Sequence, residues 1–119
     1  MTLRYRNGQI QGNPNWEQNS AAIDVSTSGD NTIVAAQSGK RILAYAFCLQ
    51  AVGTVNVKFT DGAAGSALTG DFNFQAREGI APPGIQPPAF LFGTSVSKAL
   101  VLNLSENVAV KGYVSYMLI

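Results

Sequence analysis

Apolar side chains occupy alternate positions from Leu100 to the end of this chain. The positions are Leu100, Leu102, Leu104 and, after the break at residues 105–107, Val108, Val110, Val114, Tyr116 and Leu118. A period of two is typical of a β-strand with one buried face, whereas a helix would need apolar positions three and four residues apart. A helix would also place Asn103, Lys111 and Ser115 in its buried stripe. The pattern therefore predicts a C-terminal β-hairpin.

The longest apolar segment, residues 41–52, predicts a central strand. One face would hold the large side chains, Leu43, Tyr45, Phe47 and Leu49, and the other would hold Ile42, Ala44, Ala46 and Cys48. Both faces are apolar, but only one is uniformly bulky. We expect the bulky face in the core and the other face beneath a closely packed neighbour.

Shorter segments predict the remaining strands. Strand signals begin near Ala21 and end at a predicted turn over residues 28–31, and a short strand follows from Ile33. Further strands are predicted over residues 55–60 and 72–74, and the segment 79–92, with four prolines, is predicted to be irregular or an edge strand. The fold class is therefore all-β: an antiparallel β-sandwich of seven or eight strands, jelly-roll-like, with an immunoglobulin-like topology left open.

The first nineteen residues, MTLRYRNGQIQGNPNWEQN, differ from the rest in lacking sustained alternation. They predict an extended N-terminal arm (1–19) preceding the β-sandwich domain (20–119). Arg4, Tyr5, Arg6 and Trp16 are candidate protein-interface residues, because aromatic and arginine side chains are common anchors of interfaces. In the alternative interpretation, Trp16 folds back and caps its own sandwich.

Composition excludes several classes of partner. Charged residues make up 13% of the chain, against about 25% in an average soluble domain, so part of the surface is expected to be covered by another protein. The formal net charge is +1 without a large basic cluster, which argues against nucleic acid as a partner. No apolar run approaches the roughly 18 residues of a membrane span. The single Cys48 excludes an internal disulfide and fits a reducing compartment.

The sequence contains no recognisable catalytic set. The chain has no histidine, so Ser/His/Asp and Cys/His arrangements cannot form, and zinc would find at most one thiol. Asp30, Asp61 and Asp71 lie beside Gly or Asn and are predicted to cap turns rather than to bind a metal. Cys48 is predicted to be a buried packing residue rather than a reactive thiol. We predict a non-enzymatic protein with no catalytic residues, no metal site and no cofactor.

Three segments resemble small virion proteins of tailed bacteriophages. They are SGDNTIVAAQSGKRI at residues 28–42, KALVLNLS at 98–105 and VKGYVSY at 110–116, within a resemblance that spans residues 20–119. The similarity is to β-sandwich capsid decoration (cement) proteins. It implies a structural protein of the virion, made in the bacterial host cytoplasm and bound to the major capsid protein, often as a homotrimer on the outer capsid surface. The alternative is a carbohydrate- or receptor-binding module of a phage head fibre or tail tip.

Overall fold

The computed structural model describes residues 4–6, 9–11 and 17–119. Strands account for all regular secondary structure in these ranges, which confirms the predicted all-β class. In chain order they are β1 (Arg4–Arg6), β2 (Gln9–Gln11), β3 (Glu17–Val25), β4 (Gly29–Val34), β5 (Ile42–Ala51), β6 (Val55–Asp61), β7 (Phe72–Phe74), β8 (Gly79–Ile80), β9 (Phe92–Gly93), β10 (Leu100–Leu104) and β11 (Val110–Leu118).

Strands β3 to β11 form two antiparallel sheets that pack together as a sandwich. The first sheet has the order β3-β11-β5, with β8 and β9 pairing with two parts of the far side of β5. The second sheet has the order β4-β10-β6-β7. Because β8 and β9 together act as one interrupted edge strand, the sandwich has eight strands, as predicted.

The strand order is that of a jelly roll. The eight strands of the sandwich are counted in chain order from β3, with β8 and β9 together as the sixth. The first strand then pairs with the eighth, the second with the seventh, the third with the sixth and the fourth with the fifth. This pairing results when a long strand pair wraps around a common core, and it gives the double-sheet arrangement of two Greek keys. The topology that the sequence left open between jelly roll and immunoglobulin-like is therefore a jelly roll.

The predicted C-terminal hairpin is wrong, although both of its strands exist. β10 pairs with β4 and β6 in the second sheet, whereas β11 pairs with β3 and β5 in the first. Residues 105–109 therefore cross from one sheet to the other. Alternation predicts which side chains are buried, and Leu102 and Val114 are indeed completely buried, but it carries no information on which strand supplies the hydrogen bonds.

A bulge in β5 corrects the predicted faces of that strand. Ser115 of β11 lies opposite Ala46 and the next residue, Tyr116, lies opposite Ala44, so Tyr45 is an extra residue. An extra residue exchanges the two faces of a strand. The core consequently receives Ile42 and Ala44 before the bulge and Phe47, Leu49 and Ala51 after it.

Cys48 lies beyond this bulge and is only partly buried, which contradicts its predicted burial. It pairs in register with Tyr113, a residue on the outer face of the first sheet. Because Cys48 is only partly buried, Cys48→Ala is expected to destabilise the fold less than truncation of a fully buried core residue.

Two predicted boundaries near the N-terminus also change. β3 begins at Glu17, four residues before the predicted start at Ala21, and β4 begins at Gly29, inside the predicted turn. Within the predicted arm, the described parts form strands β1 and β2, which pair with each other as a two-stranded antiparallel sheet. Polar strands of this kind lack the apolar alternation on which the sequence prediction depended.

Truncation tests this corrected boundary. Removing residues 1–16 should leave the melting temperature nearly unchanged, because the β3–β11 ladder begins only at Glu17. Removing residues 1–19 should lower it by several degrees, since the deleted Gln18 and Asn19 pair with Met117 and Tyr116 at the end of β11. Calorimetry of the two truncated proteins compares them directly. Equal melting temperatures would contradict a strand that starts at Glu17.

Candidate interaction surfaces

Three of the four predicted interface residues fall in one short strand. Arg4, Tyr5 and Arg6 form β1, and they pair in register with Gln11, Ile10 and Gln9 of β2. Trp16 lies outside the described residues, so its assignment to an interface or to a core cap stays a prediction. We call β1 and β2 together the N-terminal hairpin.

β3 is a long edge strand of the first sheet. All nine of its residues pair with β11 without a register shift, and no strand of the described chain pairs with its other side. Residues 18–23 hold no charge and no proline, and Gln18, Asn19, Ser20 and Ala22 are exposed. The free peptide groups of such an edge are able to pair with a strand of another chain.

The other sheet edges carry the features by which proteins protect their edges. The edge formed by β8 and β9 is interrupted by residues 81–91, which include four prolines. β7 has only three residues, and the pairing of β4 with β10 shifts register at Ile33. Short strands, prolines and irregular pairing all hinder strand addition. β3 is the exception among the edges of the two sheets.

Around its centre, the outer face of the first sheet carries mostly small and uncharged side chains. Tyr113 is 46% exposed and is flanked in register by Ala22 of β3 and Cys48 of β5. The next pair towards one end is Lys111 and Asp24, whose Nζ and Oδ1 atoms lie 3.5 Å apart. Both partners of this ion pair are well exposed, so it contributes little to stability.

The outer face of the second sheet is polar and is partly covered by a loop. Asp30 accepts hydrogen bonds from the side-chain amide of Asn103 at 2.8 Å and from the backbone N–H of Ala64 at 2.8 Å. Asp61 accepts from both the backbone N–H and the hydroxyl of Ser95. Asp30 therefore links β4 to β10 and to the loop at Ala64, and Asp61 links the end of β6 to the loop at Ser95. These bonds correct the expectation that Asp30 and Asp61 cap their own turns. No group of three or more His, Cys, Asp or Glu side chains capable of holding a metal occurs in the described part of the chain.

Hydrogen bonds from Asn103 and Ala64, together with the charge of Lys58, lower the pKa of Asp30 below its ordinary value of 3.8. A lowered pKa in the folded protein stabilises the fold above pH 3.8, and this stabilisation is lost as the pH falls through the lowered value. Asp30→Asn should therefore destabilise the protein by a constant small amount near neutral pH and by less as the pH falls below 3.8. Urea unfolding of both proteins between pH 2.5 and 7 measures the difference. A difference independent of pH would contradict this role of Asp30.

A polar groove of about 500 Å³ lies beside the turn between β10 and β11. It is lined by residues 54–56 and 105–108, which supply hydroxyl, amide and carboxylate groups around Val55 and Val108. Ser105 and Asn56 hold its two walls together, since each backbone N–H is bonded to the other residue. Groups of this kind are able to bind sugar hydroxyls, although no aromatic side chain lines the groove.

Neither the β3 edge nor the groove is predicted by the sequence. The uncharged run at residues 18–23 was visible in the sequence, but an edge strand is defined by what does not pair with it. The groove is built from two loops that are distant in sequence.

The chain matches no protein-family model and no curated protein. Within residues 4–6, 9–11 and 17–119, no helix is long and apolar enough to cross a membrane.

Proposed function

We propose that this chain is a non-enzymatic structural protein of a phage virion that decorates and stabilises the outer capsid surface. The observation that supports this proposal best is the eight-stranded jelly roll, an architecture that recurs in viral capsid domains. The segments at residues 28–42, 98–105 and 110–116, which resemble cement proteins, lie on this sandwich. The proposed partners are the major capsid protein and further copies of this chain as a homotrimer.

The physical basis is linkage between binding and stability. A protein that binds the assembled shell but not its dissociated subunits stabilises the shell by the free energy of that binding. A trimer multiplies weak contacts if its geometry allows them to form together. A chain with only 15 charged residues, eight basic and seven acidic, also limits repulsion between closely spaced copies.

A second candidate function is carbohydrate or receptor binding at a head fibre or tail tip. The polar groove lined by residues 54–56 and 105–108 favours it, because side-chain amides, hydroxyls and a carboxylate converge there. Jelly rolls also occur in lectins, so the fold alone does not separate the two functions.

Co-sedimentation distinguishes the two functions. Purified protein is mixed with mature tailed-phage capsids that lack decoration protein and, separately, with a glycan array. The capsid proposal predicts saturable pelleting with capsids, unaffected by Glu106→Gln in the groove. Glycan binding that Glu106→Gln abolishes, without binding to capsids, would support the second function and contradict the first.

A further inference from the structure

We propose that the N-terminal hairpin of one copy adds to the free edge of β3 in a neighbouring copy, so that copies exchange their N-termini within the assembly. This inference rests on the self-association included in the proposed function, and it names the two surfaces that meet. Among residues 4–6, 9–11 and 17–119, β1 and β2 pair only with each other, and β3 pairs only with β11.

Each of the two surfaces lacks a partner. An isolated two-stranded hairpin is marginally stable in water, and three or more strands are usually needed for independent stability. The hairpin strands have three residues each, whereas β3 offers nine residues in a continuous ladder. Addition to β3 would give the hairpin a sheet to join and would cover the edge that is left unprotected in the described part of the chain.

Charge complementarity favours the hairpin over other occupants of the edge. Residues 1–16 contain two basic residues, Arg4 and Arg6, and no acidic residue. β3 contains two acidic residues, Glu17 and Asp24, and no basic residue. Two β3 strands paired with each other would bring four carboxylates to one seam, which is unfavourable. A hairpin from another copy, whose sequence holds arginines and no acidic residue, avoids this repulsion.

The symmetry of the assembly follows from the two surfaces being different. A contact between unlike surfaces is heterologous, and such contacts form closed rings when the rotation between copies closes. Each copy then donates one hairpin and accepts one. A ring of three copies satisfies every donor and every acceptor, in agreement with the proposed homotrimer.

Light scattering of edge and hairpin variants measures the contact. Deleting residues 1–11 removes the donor, and Ala22→Lys blocks the acceptor, because a lysine at an exposed edge position hinders strand addition and repels the arginines. Both changes should reduce the mass in solution about threefold, to that of a single chain, while circular dichroism shows that each variant remains folded. The control should keep the wild-type mass: Asn73→Lys places the same charge at an exposed position of the protected edge strand β7.

A mixing experiment tests the exchange itself. The protein lacking residues 1–11 retains its β3 edge, and the Ala22→Lys protein retains its hairpin, so equal amounts should form a complex of one copy each. A monomeric wild-type protein, variants that keep the wild-type mass, or a mixture without the complex would overturn the inference. The proposed function has a separate readout, because capsid binding by the wild-type protein is measured independently of its mass in solution.

Discussion

Replacing Phe59 with alanine should lower the free energy of unfolding by about 3–5 kcal/mol, the range found for truncating a buried aromatic ring. Phe59 is completely buried. Its ring belongs to the second sheet and contacts two rings of the first: the centroids of Phe47 and Phe92 lie 5.4 and 4.8 Å away. The variant therefore opens a cavity between the two sheets. Urea unfolding followed by circular dichroism measures the loss.

Phe90→Ala is the matched control for this cavity. The same side chain is 42% exposed at position 90, in the segment between β8 and β9. Its truncation leaves no enclosed space, so the loss should be well below that of Phe59→Ala. Similar losses for the two variants would show that the rings between the sheets do not form the centre of the core.

Gly112→Ala should destabilise the fold by more than about 3 kcal/mol, because the added methyl group has no space. Gly112 lies within β11 with φ of +155°, opposite Leu49 of β5. A Cβ atom at this position would overlap the backbone carbonyl oxygen of Cys48. Either the ladder between the central strands separates or the variant fails to fold. Thermal unfolding and the yield of soluble protein report the two outcomes.

The control for this substitution is Gly70→Ala in the loop before β7. No atom lies within 4 Å of a Cβ built there, and the backbone conformation is ordinary for an L-residue. The expected change in the free energy of unfolding is within about 0.5 kcal/mol. If Gly112→Ala were equally mild, the close approach of β11 to β5 would be wrong.

The sequence predicted the strands well because burial on one face leaves a visible period. Leu100, Leu102 and Leu104 are buried as their spacing predicted, and the proline-rich segment lies at a sheet edge. The choice of which strands pair with each other leaves no such period in the sequence. The C-terminal strands therefore looked like a hairpin, although they belong to different sheets of the jelly roll.

The errors within strands have a different origin. A single extra residue, Tyr45, reverses the faces of β5, and nothing in an apolar run such as residues 42–49 marks the position of a bulge. The start of β3 was missed because its first residues, Glu17 to Asn19, are polar and pair at an exposed edge. Of the four candidate interface residues, Arg4, Tyr5 and Arg6 share β1, and Trp16 remains a prediction from sequence.

The proposed role as a capsid decoration protein is tested most directly by imaging. Purified protein is added to mature tailed-phage capsids that lack decoration protein, and the particles are reconstructed by electron cryomicroscopy. We expect additional density on the outer surface at three-fold positions, into which three copies of the jelly roll fit. Capsids whose surface is unchanged at saturating protein concentration would contradict it.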